Sequence, residues 1–468
     1  MKTKSAVLSS SVAATAPSPT SIRVLLGITW PQLMMMLFQM LIGFTDVFVA
    51  GRIEGGVQAA LGLVTECMFV FMVLGMAIAN AGVATISQSL GARLARRAQR
   101  YVGLLFTLGL AFCLLIVMAT MLWRENFLDL LSVPDAIRPI TSYFLTIFMF
   151  LLPAQYLLVI SNAVFRAHQY LRFPLICNFV IFVLNAFADF GFGLGYWGLP
   201  NLGYQGVAWA TFISVTAGAA FNMLFIFKKG LFTRHSIPVW RWVRRGTPYL
   251  VKVASPAAAL QFMWCIGYLL LFTIVGNLPS DAVNALAGMT AGMRVESLLF
   301  LPGMAFSMTA SILVGQSLGA GKPKEAKHIG RKLLMVGIAC MSSAAVILWL
   351  LIDPICAWLT PDPAVQAHAR AYLRINILST PFTMTSMTLT GVMSGAGATL
   401  YGFIANGAGF WLVRLPMAYL LGHIIWQTST GVFLSMLVGQ MVQSSLLLYI
   451  FERKDWPRFS MIKRRVKE

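Results

Sequence analysis

Long apolar segments dominate the chain, and short polar or basic stretches separate them. A helix that crosses a bilayer needs about 20 predominantly apolar residues. An outer-membrane barrel would show short segments of alternating polarity instead. The pattern therefore predicts an all-α polytopic membrane protein with twelve transmembrane helices. The segments lie roughly at 25–50, 58–88, 101–123, 141–166, 173–195, 205–227, 249–276, 284–316, 331–352, 371–396, 399–422 and 430–451.

Composition supports a membrane protein and argues against a soluble enzyme. Hydrophobic residues make up 58% of the 468 residues and charged residues 11%, whereas soluble domains carry about 25% charged residues. The six cysteines lie in apolar runs without a CxxC pair, and the five histidines are scattered. Neither set suggests a metal site, a disulfide or a nucleophile with its base. We therefore expect no enzyme activity, no catalytic residue and no cofactor.

The basic residues follow a regular alternation along the chain. There are 35 Lys and Arg against 15 Asp and Glu, a net charge of +20. Twenty-eight of the 35 fall in the two tails and in every second loop, which places both termini in the cytoplasm by the positive-inside rule. The charge thus marks membrane topology, and we expect no nucleic-acid partner. The predicted regions are a cytoplasmic tail at 1–24, a first lobe of six helices at 25–227, a basic cytoplasmic linker at 228–247, a second lobe of six helices at 248–451 and a cytoplasmic tail at 452–468.

The two halves of the chain repeat each other. The pentapeptide QSLGA at 88–92 recurs at 316–320, an offset of 228 in sequence number. Six spans are an even number, so both halves enter the membrane in the same sense. Two such lobes facing each other leave a central cavity, as in many secondary transporters. Further matches in the same order are Pro153 with Pro381 and Asn178 with Asn406 at offset 228, and Pro31 with Pro256 at offset 225. Because proline removes a backbone hydrogen bond, Pro31 and Pro256 are candidate hinges.

Acidic residues inside predicted spans are the strongest functional signal, because a charge in hydrocarbon is costly. Asp46 lies on span 1, where Gln32, Gln39 and Asp46 are spaced by seven and share one helix face. Asp189 lies on span 5, one turn after Asn185. At the repeat offsets the second half carries Leu271 and Met417 instead of the two acids. The scaffold is duplicated but the carboxylates are not, which favours a specialised site in the first lobe.

A buried pair of carboxyl groups suits coupling to a cation. Burial and mutual repulsion both favour the protonated form, so such a pair can load and release a proton. Together with asparagine oxygens it could instead bind Na⁺. Asp46, Asn185, Asp189 and, more loosely, Asn162 are the candidate coupling residues. Candidate cavity-lining residues are Gln32, Met35, Gln39, Asn178, Glu296 and Arg414.

Several stretches together resemble the multidrug and toxic compound extrusion (MATE) transporters over nearly the whole chain. They are DVFVAGR at 46–52, LVGQSLGAG at 313–321 with Ala326, the Asn185 and Asp189 pair, GYQGVAWAT at 203–211 and VRLP at 413–416. The resemblance implies two six-helix lobes and efflux of organic, often cationic, compounds against inward H⁺ or Na⁺. It also implies that Asp46, Asn185 and Asp189 form the cation site of the first lobe.

The chain departs from one family pattern, because spans 7 and 10 carry no acid after Pro256 and Pro381. This departure shifts the expected coupling site to the first lobe. We expect a multi-pass protein of the plasma membrane, or of the inner membrane if the source is bacterial, that works as a monomer. The alternatives are a flippase for lipid-linked saccharides and a transporter of one endogenous metabolite. The intramembrane acids argue against a flippase, which would favour a cationic cavity.

Overall fold

The first half of the described chain folds into seven helices and two short turns of 3₁₀-helix. In this computed structural model residues 21–237 and 239–461 are described, so most of the predicted N-terminal tail and the end of the C-terminal tail lie outside the described residues. The helices are α1 (Ile22–Ile53), α2 (Gly55–Gly91), α3 (Ala95–Leu122), α4 (Arg124–Leu130), α5 (Arg138–Ala167), α6 (Arg172–Ala188), which continues as a π-helix over Asp189–Gly193, and α7 (Tyr204–Lys228); 3₁₀ turns span Tyr196–Gly198 and Arg234–Ser236.

The second half continues the same pattern. Its helices are α8 (Trp240–Gly276), α9 (Ala282–Gly319), α10 (Pro323–Leu350), α11 (Ile352–Leu359), α12 (Pro363–Leu378), α13 (Thr380–Ala396), α14 (Thr399–Gly407), α15 (Leu415–Tyr419) and α16 (Ser429–Arg453), followed by a 3₁₀ turn at Trp456–Phe459. Stretches of π-helix at Ala408–Arg414 and Leu420–Ile425 extend α14 and α15 into one run. Residues 21–237 and 239–461 contain no strand.

Eleven helical runs among the described residues are long and apolar enough to span a membrane. The twelfth predicted span consists of α12 and α13, which follow each other with a break at Ser379. Neither part alone has the length of a span, but together they cover the predicted segment. The all-helical fold class predicted from the apolar pattern is confirmed.

The internal repeat is visible in the helix boundaries. Helices α3 and α10, at Ala95–Leu122 and Pro323–Leu350, keep the sequence offset of 228 at both ends. Each is followed by a short helix, Arg124–Leu130 and Ile352–Leu359, whose first residues are again offset by 228. The sequence matches that defined the repeat therefore correspond to equivalent structural positions.

The prolines inside the spans do not all interrupt their helices. Pro31, Pro153 and Pro256 lie within continuous helices. Only Pro381 lies next to a break. At this break Ser379 donates hydrogen bonds from both its N–H and its Oγ to the carbonyl of Asn376. These bonds satisfy the carbonyl of Asn376 within a tight turn, so α12 ends at Leu378 and does not continue into α13.

The last residues of the predicted basic linker are helical. The predicted linker covers 228–247, but its residues from Trp240 onwards form the first turns of α8. Arginine has a high helix propensity, so an arginine-rich sequence is as compatible with helix as an apolar one. The apolar pattern therefore marks where a helix enters the membrane and not where the helix begins.

The two halves are joined at the end of the molecule that carries the basic loops, which we call the basic end. Here Gly91 of α2 and Gly319 of α9 let the helices approach closely: a Cβ on Gly91 would lie 2.0 Å from the carbonyl oxygen of Gln316. Gln88 donates to the carbonyl of Gly395 at 2.8 Å, and Gln316 to that of Ala167 at 3.0 Å. The side-chain hydrogen bonds described between the halves all lie in this part of the molecule. The path between the halves is therefore closed at the basic end.

At the opposite end several arginines pair with acids of the short helices. Arg138 of α5 pairs with Asp129 of α4 at 2.7 Å, and Arg370 of α12 pairs with Asp353 of α11 at 2.5 Å. Arg124 and Arg138 together hold the pKa of Glu125 below its usual value. The short helices thus serve the same purpose in both halves, which is to supply carboxylates to the next long helix.

The close approach of α2 and α9 gives a testable consequence. Thr29 and Thr309 lie with their hydroxyl oxygens 3.0 Å apart across the halves, so cysteines at both positions should cross-link in a variant without the six native cysteines. Gly91→Val adds side-chain atoms where the backbone of α9 lies and should reduce the cross-linked fraction. Overpacking costs about 1–3 kcal/mol, which lowers the equilibrium constant for closure by about 5- to 160-fold.

Gly62→Val is the matched control, because this glycine lies on the same helix with nothing within 4 Å of an added Cβ. The cross-linked fraction is followed over time by gel mobility. Equal cross-linking in the Gly91→Val and Gly62→Val variants would show that closure does not depend on the contact of Gly91 with α9.

Candidate functional site

Helices α1 and α6 lie side by side and align two pairs of polar side chains. Gln39 of α1 donates from Nε2 to Oδ1 of Asn178 on α6 at 3.3 Å. Two helical turns further along both helices, Asp46 faces Asn185. Both pairs have the same sequence separation, 139, as expected when two parallel helices rise by the same amount per residue. This common register is what places the first-half acids together.

Asp189 completes the group of polar side chains around Asp46. Asp189 and Asn185 are fully buried, whereas Asp46 is only half-buried. Asp46 and Asp189 lie close enough to each other to interact electrostatically. Neither oxygen of Asp189, neither polar atom of the Asn185 amide, nor Oδ1 of Asp46 has a hydrogen-bond partner among the described residues. We call Asp46, Asn185 and Asp189 the carboxylate cluster.

The backbone at Asp189 is arranged to bring it close to α1. Asp189 begins the π-helical turn that ends α6, and such turns occur frequently at functional sites. Gly193 in this turn packs against Val49, to which an added Cβ would come within 2.8 Å. The turn also contacts α7, where a Cβ on Gly206 would lie 2.3 Å from the carbonyl oxygen of Phe192. The glycines allow the end of α6 to fit between its two neighbours.

The chemistry of the cluster suits a small cation. Two carboxyl groups in a buried site cannot both remain charged without strong repulsion, unless a proton or a metal cation offsets it. Carboxylate and amide oxygens are suitable ligands for a hard cation. Within the described ranges no three His, Cys, Asp or Glu side chains are grouped to hold a metal ion. The cluster therefore offers two carboxylates and one amide oxygen, a set that fits a proton or a monovalent cation.

Asn162 does not belong to this cluster. Its Oδ1 accepts a hydrogen bond from Nδ2 of Asn222 at 2.8 Å, and the same nitrogen donates to the hydroxyl of Ser161 at 2.9 Å. This network links α5 to α7 inside the first half. The sequence could not reveal it, because Asn222 has no acidic neighbour or spacing that sets it apart.

Gln32 lies where the two halves meet, on the basic-end side of the carboxylate cluster. Gln32 is fully buried and donates to Oγ1 of Thr309 on α9 at 2.9 Å. Met35 is buried as well, and Pro31 precedes Gln32 within α1. The helix that carries Asp46 is therefore also the helix that binds the second half.

The second half holds a different set of buried polar groups. The hydroxyl of Tyr372 donates to the carboxylate of Glu296. Arg414 is almost fully buried, with its guanidinium 4.6 Å from the ring centre of Phe410 and close enough to Glu296 to interact electrostatically. Its Nη2 donates to the carbonyl of Met436 at 3.4 Å. Glu296 and Arg414 thus share one local environment, and both are far in sequence from the carboxylate cluster.

One polar constellation was not anticipated from the sequence. His368 on α12 contacts Oδ2 of Asp281 and Oγ of Ser429, each at 2.8 Å. These residues tie α9, α12 and α16 together at the end opposite the basic end. Ser429 is 3% exposed, so a substrate cannot reach its hydroxyl. The hydrogen bonds among His368, Asp281 and Ser429 therefore have a structural role. The hydrogen bond with His368 holds the pKa of Asp281 below its usual value.

The chain is similar to known proteins in sequence and in fold. A family model described as MatE matches residues 31–190 and 256–420, one match in each half. The chain belongs to the MatE family. Members of this family are transporters and not enzymes, as the sequence predicted, and the recognition of the MATE family is confirmed. Both matches include the residues discussed above, from Asp46 to Asp189 and from Glu296 to Arg414.

Named relatives span nearly the whole MatE chain. It is 25% identical over 452 residues to a probable multidrug resistance protein NorM of Thermotoga maritima, covering 92% of both chains. It is 28% identical over 422 residues to the multidrug resistance protein PmpM of Pseudomonas aeruginosa, covering 88% of this chain and 86% of the relative. These relatives are described as multidrug resistance proteins.

Solved structures show the same fold. A Vibrio cholerae MATE transporter, VcmN in its bent form, superposes with a TM-score of 0.85 at 20% identity over 94% of this chain and 98% of its own. A MOP superfamily transporter from Pyrococcus furiosus superposes with a TM-score of 0.84 at 15% identity, over 94% and 96% of the two chains. The twelve-helix transporter fold is thus established for this MatE member.

The absence of hydrogen-bond partners in the carboxylate cluster predicts an unusual response of stability. Asp189→Asn should leave the thermal unfolding temperature in detergent unchanged or raise it, because it removes carboxylate repulsion without breaking a hydrogen bond. Asn222→Leu, which leaves Ser161 and Asn162 without their donor, should lower stability by about 1–3 kcal/mol. Unfolding followed by tryptophan fluorescence measures both. A large loss of stability in Asp189→Asn would mean that the carboxylate serves packing.

Proposed function

We propose that this MatE transporter is a secondary active antiporter that exports organic, often cationic, compounds in exchange for H⁺ or Na⁺. The observation that carries the proposal is the carboxylate cluster, in which two acids and an amide face one another inside the first half with buried polar atoms that have no partner among the described residues. A structural role would leave these groups hydrogen-bonded. A site that must accept and release a cation instead contains polar groups that have no hydrogen-bond partner among the described residues.

Access to the cluster supports exchange at a single site. Asp189 and Asn185 are buried behind Asp46, which alone of the three is partly exposed. A positively charged compound that approaches Asp46 and a coupling cation held by the pair would compete for the same negative charge. Binding of one therefore favours release of the other, which is the requirement for antiport.

The location in the cell follows from the distribution of charge. We infer that the basic end faces the cytoplasm and that the protein resides in the plasma membrane, since arginine and lysine concentrate in cytoplasmic loops. The halves are joined at that end, so the described conformation has its closed side toward the cytoplasm. Separation of the halves at the contacts of α1 and α2 with α9 would open the cytoplasmic side, with Pro31 and Pro256 as candidate hinges.

Transport by the purified protein tests the coupling directly. In proteoliposomes that contain a fluorescent organic cation, an imposed pH gradient or an imposed Na⁺ gradient should drive its movement, and Asp46→Asn should reduce the rate to that of protein-free liposomes. The two gradients are applied separately, so the same assay identifies the coupling ion.

Asp135→Asn is the control for the loss of one carboxylate, because Asp135 is an exposed loop residue at the opposite end. Undiminished gradient-driven transport in Asp46→Asn would refute the assignment. Movement of lipid-linked saccharides without any dependence on either gradient would favour the flippase alternative.

A further inference from the structure

A cleft with an unusual density of arginines lies at the basic end, away from the carboxylate cluster. It has a volume of about 350 Å³ and is formed by the start of α3, the 3₁₀ turn at Arg234–Ser236 and the start of α8. Its charged lining consists of Arg100, Arg234, Arg241 and Arg245, with His235 beside them. Nothing in the transport chemistry above uses these residues.

The positive charge of the cleft is not balanced by the protein. None of the four arginines forms an ion pair within the described parts of the chain. The sequence offers no acid near them along the chain, since residues 67–124 and 190–280 contain neither Asp nor Glu. By contrast, Arg124, Arg138 and Arg370 at the opposite end all have carboxylate partners. Four unpaired guanidinium groups around one cleft favour an anion from outside the protein.

The cleft is built on a fixed framework. Ser236 is fully buried against α3, where a Cβ on Gly103 would lie 1.5 Å from its carbonyl oxygen. Thr233 and Ser236 cap the 3₁₀ turn with reciprocal hydrogen bonds, and Thr233 also donates to Gln99 at 3.3 Å. Arg234 is therefore held in place by the turn that carries it.

An aromatic wall helps to orient the arginines. The guanidinium of Arg100 lies 5.3 Å from the ring centre of Trp242, and Tyr101 packs edge-on against the same ring. Trp242 also lines the cleft, and its Nε1–H is buried. The guanidinium groups of the cleft have a planar geometry that suits phosphate oxygens.

The edge of the cleft is apolar and exposed. Ile237, Val239 and Trp240 are 62%, 66% and 71% exposed, and all three lie between the 3₁₀ turn and the first turn of α8. This position is where helices leave the membrane, and exposed aromatic and aliphatic side chains there are typical of insertion into the headgroup region. A free anion would make no use of these side chains, whereas the acyl chains of a lipid would cover them.

We propose that this cleft binds the phosphate headgroup of an anionic phospholipid from the leaflet at the basic end, with its acyl chains along Ile237, Val239 and Trp240. Arg100 and Arg234 lie before the start of the second half and Arg241 and Arg245 lie on its first helix, so the lipid connects the two halves. A lipid that binds the cleft more tightly when the two halves are joined at the basic end would favour the conformation closed at that end. This site does not depend on which cation the transporter uses.

Lipid retention by the full-length protein tests the site. The protein in detergent is titrated with phosphatidylglycerol or phosphatidylcholine, and bound lipid is counted by native mass spectrometry. Wild type should bind phosphatidylglycerol in preference to phosphatidylcholine. The double variant Arg241→Gln/Arg245→Gln should lose about 10- to 30-fold in affinity for phosphatidylglycerol, as expected for two arginines near an anionic headgroup.

The control is Arg93→Gln/Arg96→Gln, which removes the same charge from exposed positions at the basic end that do not line the cleft. It should bind phosphatidylglycerol like wild type. If the Arg241 and Arg245 variant fails to fold, as judged by gel filtration, Arg234→Gln on the exposed turn replaces it and should lose binding in the same direction.

Two results would overturn the proposal. The first is equal phosphatidylglycerol binding by wild type and both double variants. The second is displacement of the lipid by an equal concentration of inorganic phosphate, which would assign the cleft to a free anion and leave the apolar edge without a role.

Discussion

The structure depends on one constraint, which is the cost of placing charges and unpaired polar groups in hydrocarbon. It requires every spanning segment to be helical, since only a helix satisfies its own backbone within one segment. It also confines most arginine and lysine side chains to the helix ends, where some pair with acids and four arginines at the basic end surround one cleft without an ion pair among the described residues. Against that background the carboxylate cluster stands out because it places two acids together inside the first half, with buried oxygens that lack partners among the described residues.

The two halves share one helical scaffold but carry different buried polar groups. Helices α3 and α10 and the starts of the short helices after them keep the sequence offset of 228, so the architecture of the halves is shared. Their buried chemistry is not shared. The first half places two carboxylates and an amide together, whereas the second half holds the carboxylate of Glu296 with a tyrosine hydroxyl and near the guanidinium of Arg414. A partnered acid in one half and an unsatisfied pair in the other agree with coupling in the first half.

The sequence was sufficient for features that depend on spacing along one helix or on repetition. The helical fold class, the repeat and the shared face of Gln39 and Asp46 belong to this group. The proximity of Asp46 to Asn185 and Asp189 came from the family resemblance, and the structure explains it by the common register of α1 and α6. The Asn162 to Asn222 bond, the contact of Gln32 with Thr309 and the arginine cleft could not be predicted, because each joins helices whose relative placement the sequence does not encode locally.

The central claim is that Asp46 and Asp189 hold either an organic cation or the coupling ion, but not both together. The most direct measurement is the affinity of the purified protein for a fluorescent organic cation across a pH series without Na⁺ and across a Na⁺ series at fixed pH. The account predicts that affinity falls as the concentration of one of the two ions rises, and that Asp46→Asn removes this dependence. An affinity that is the same at every pH and every Na⁺ concentration would contradict it.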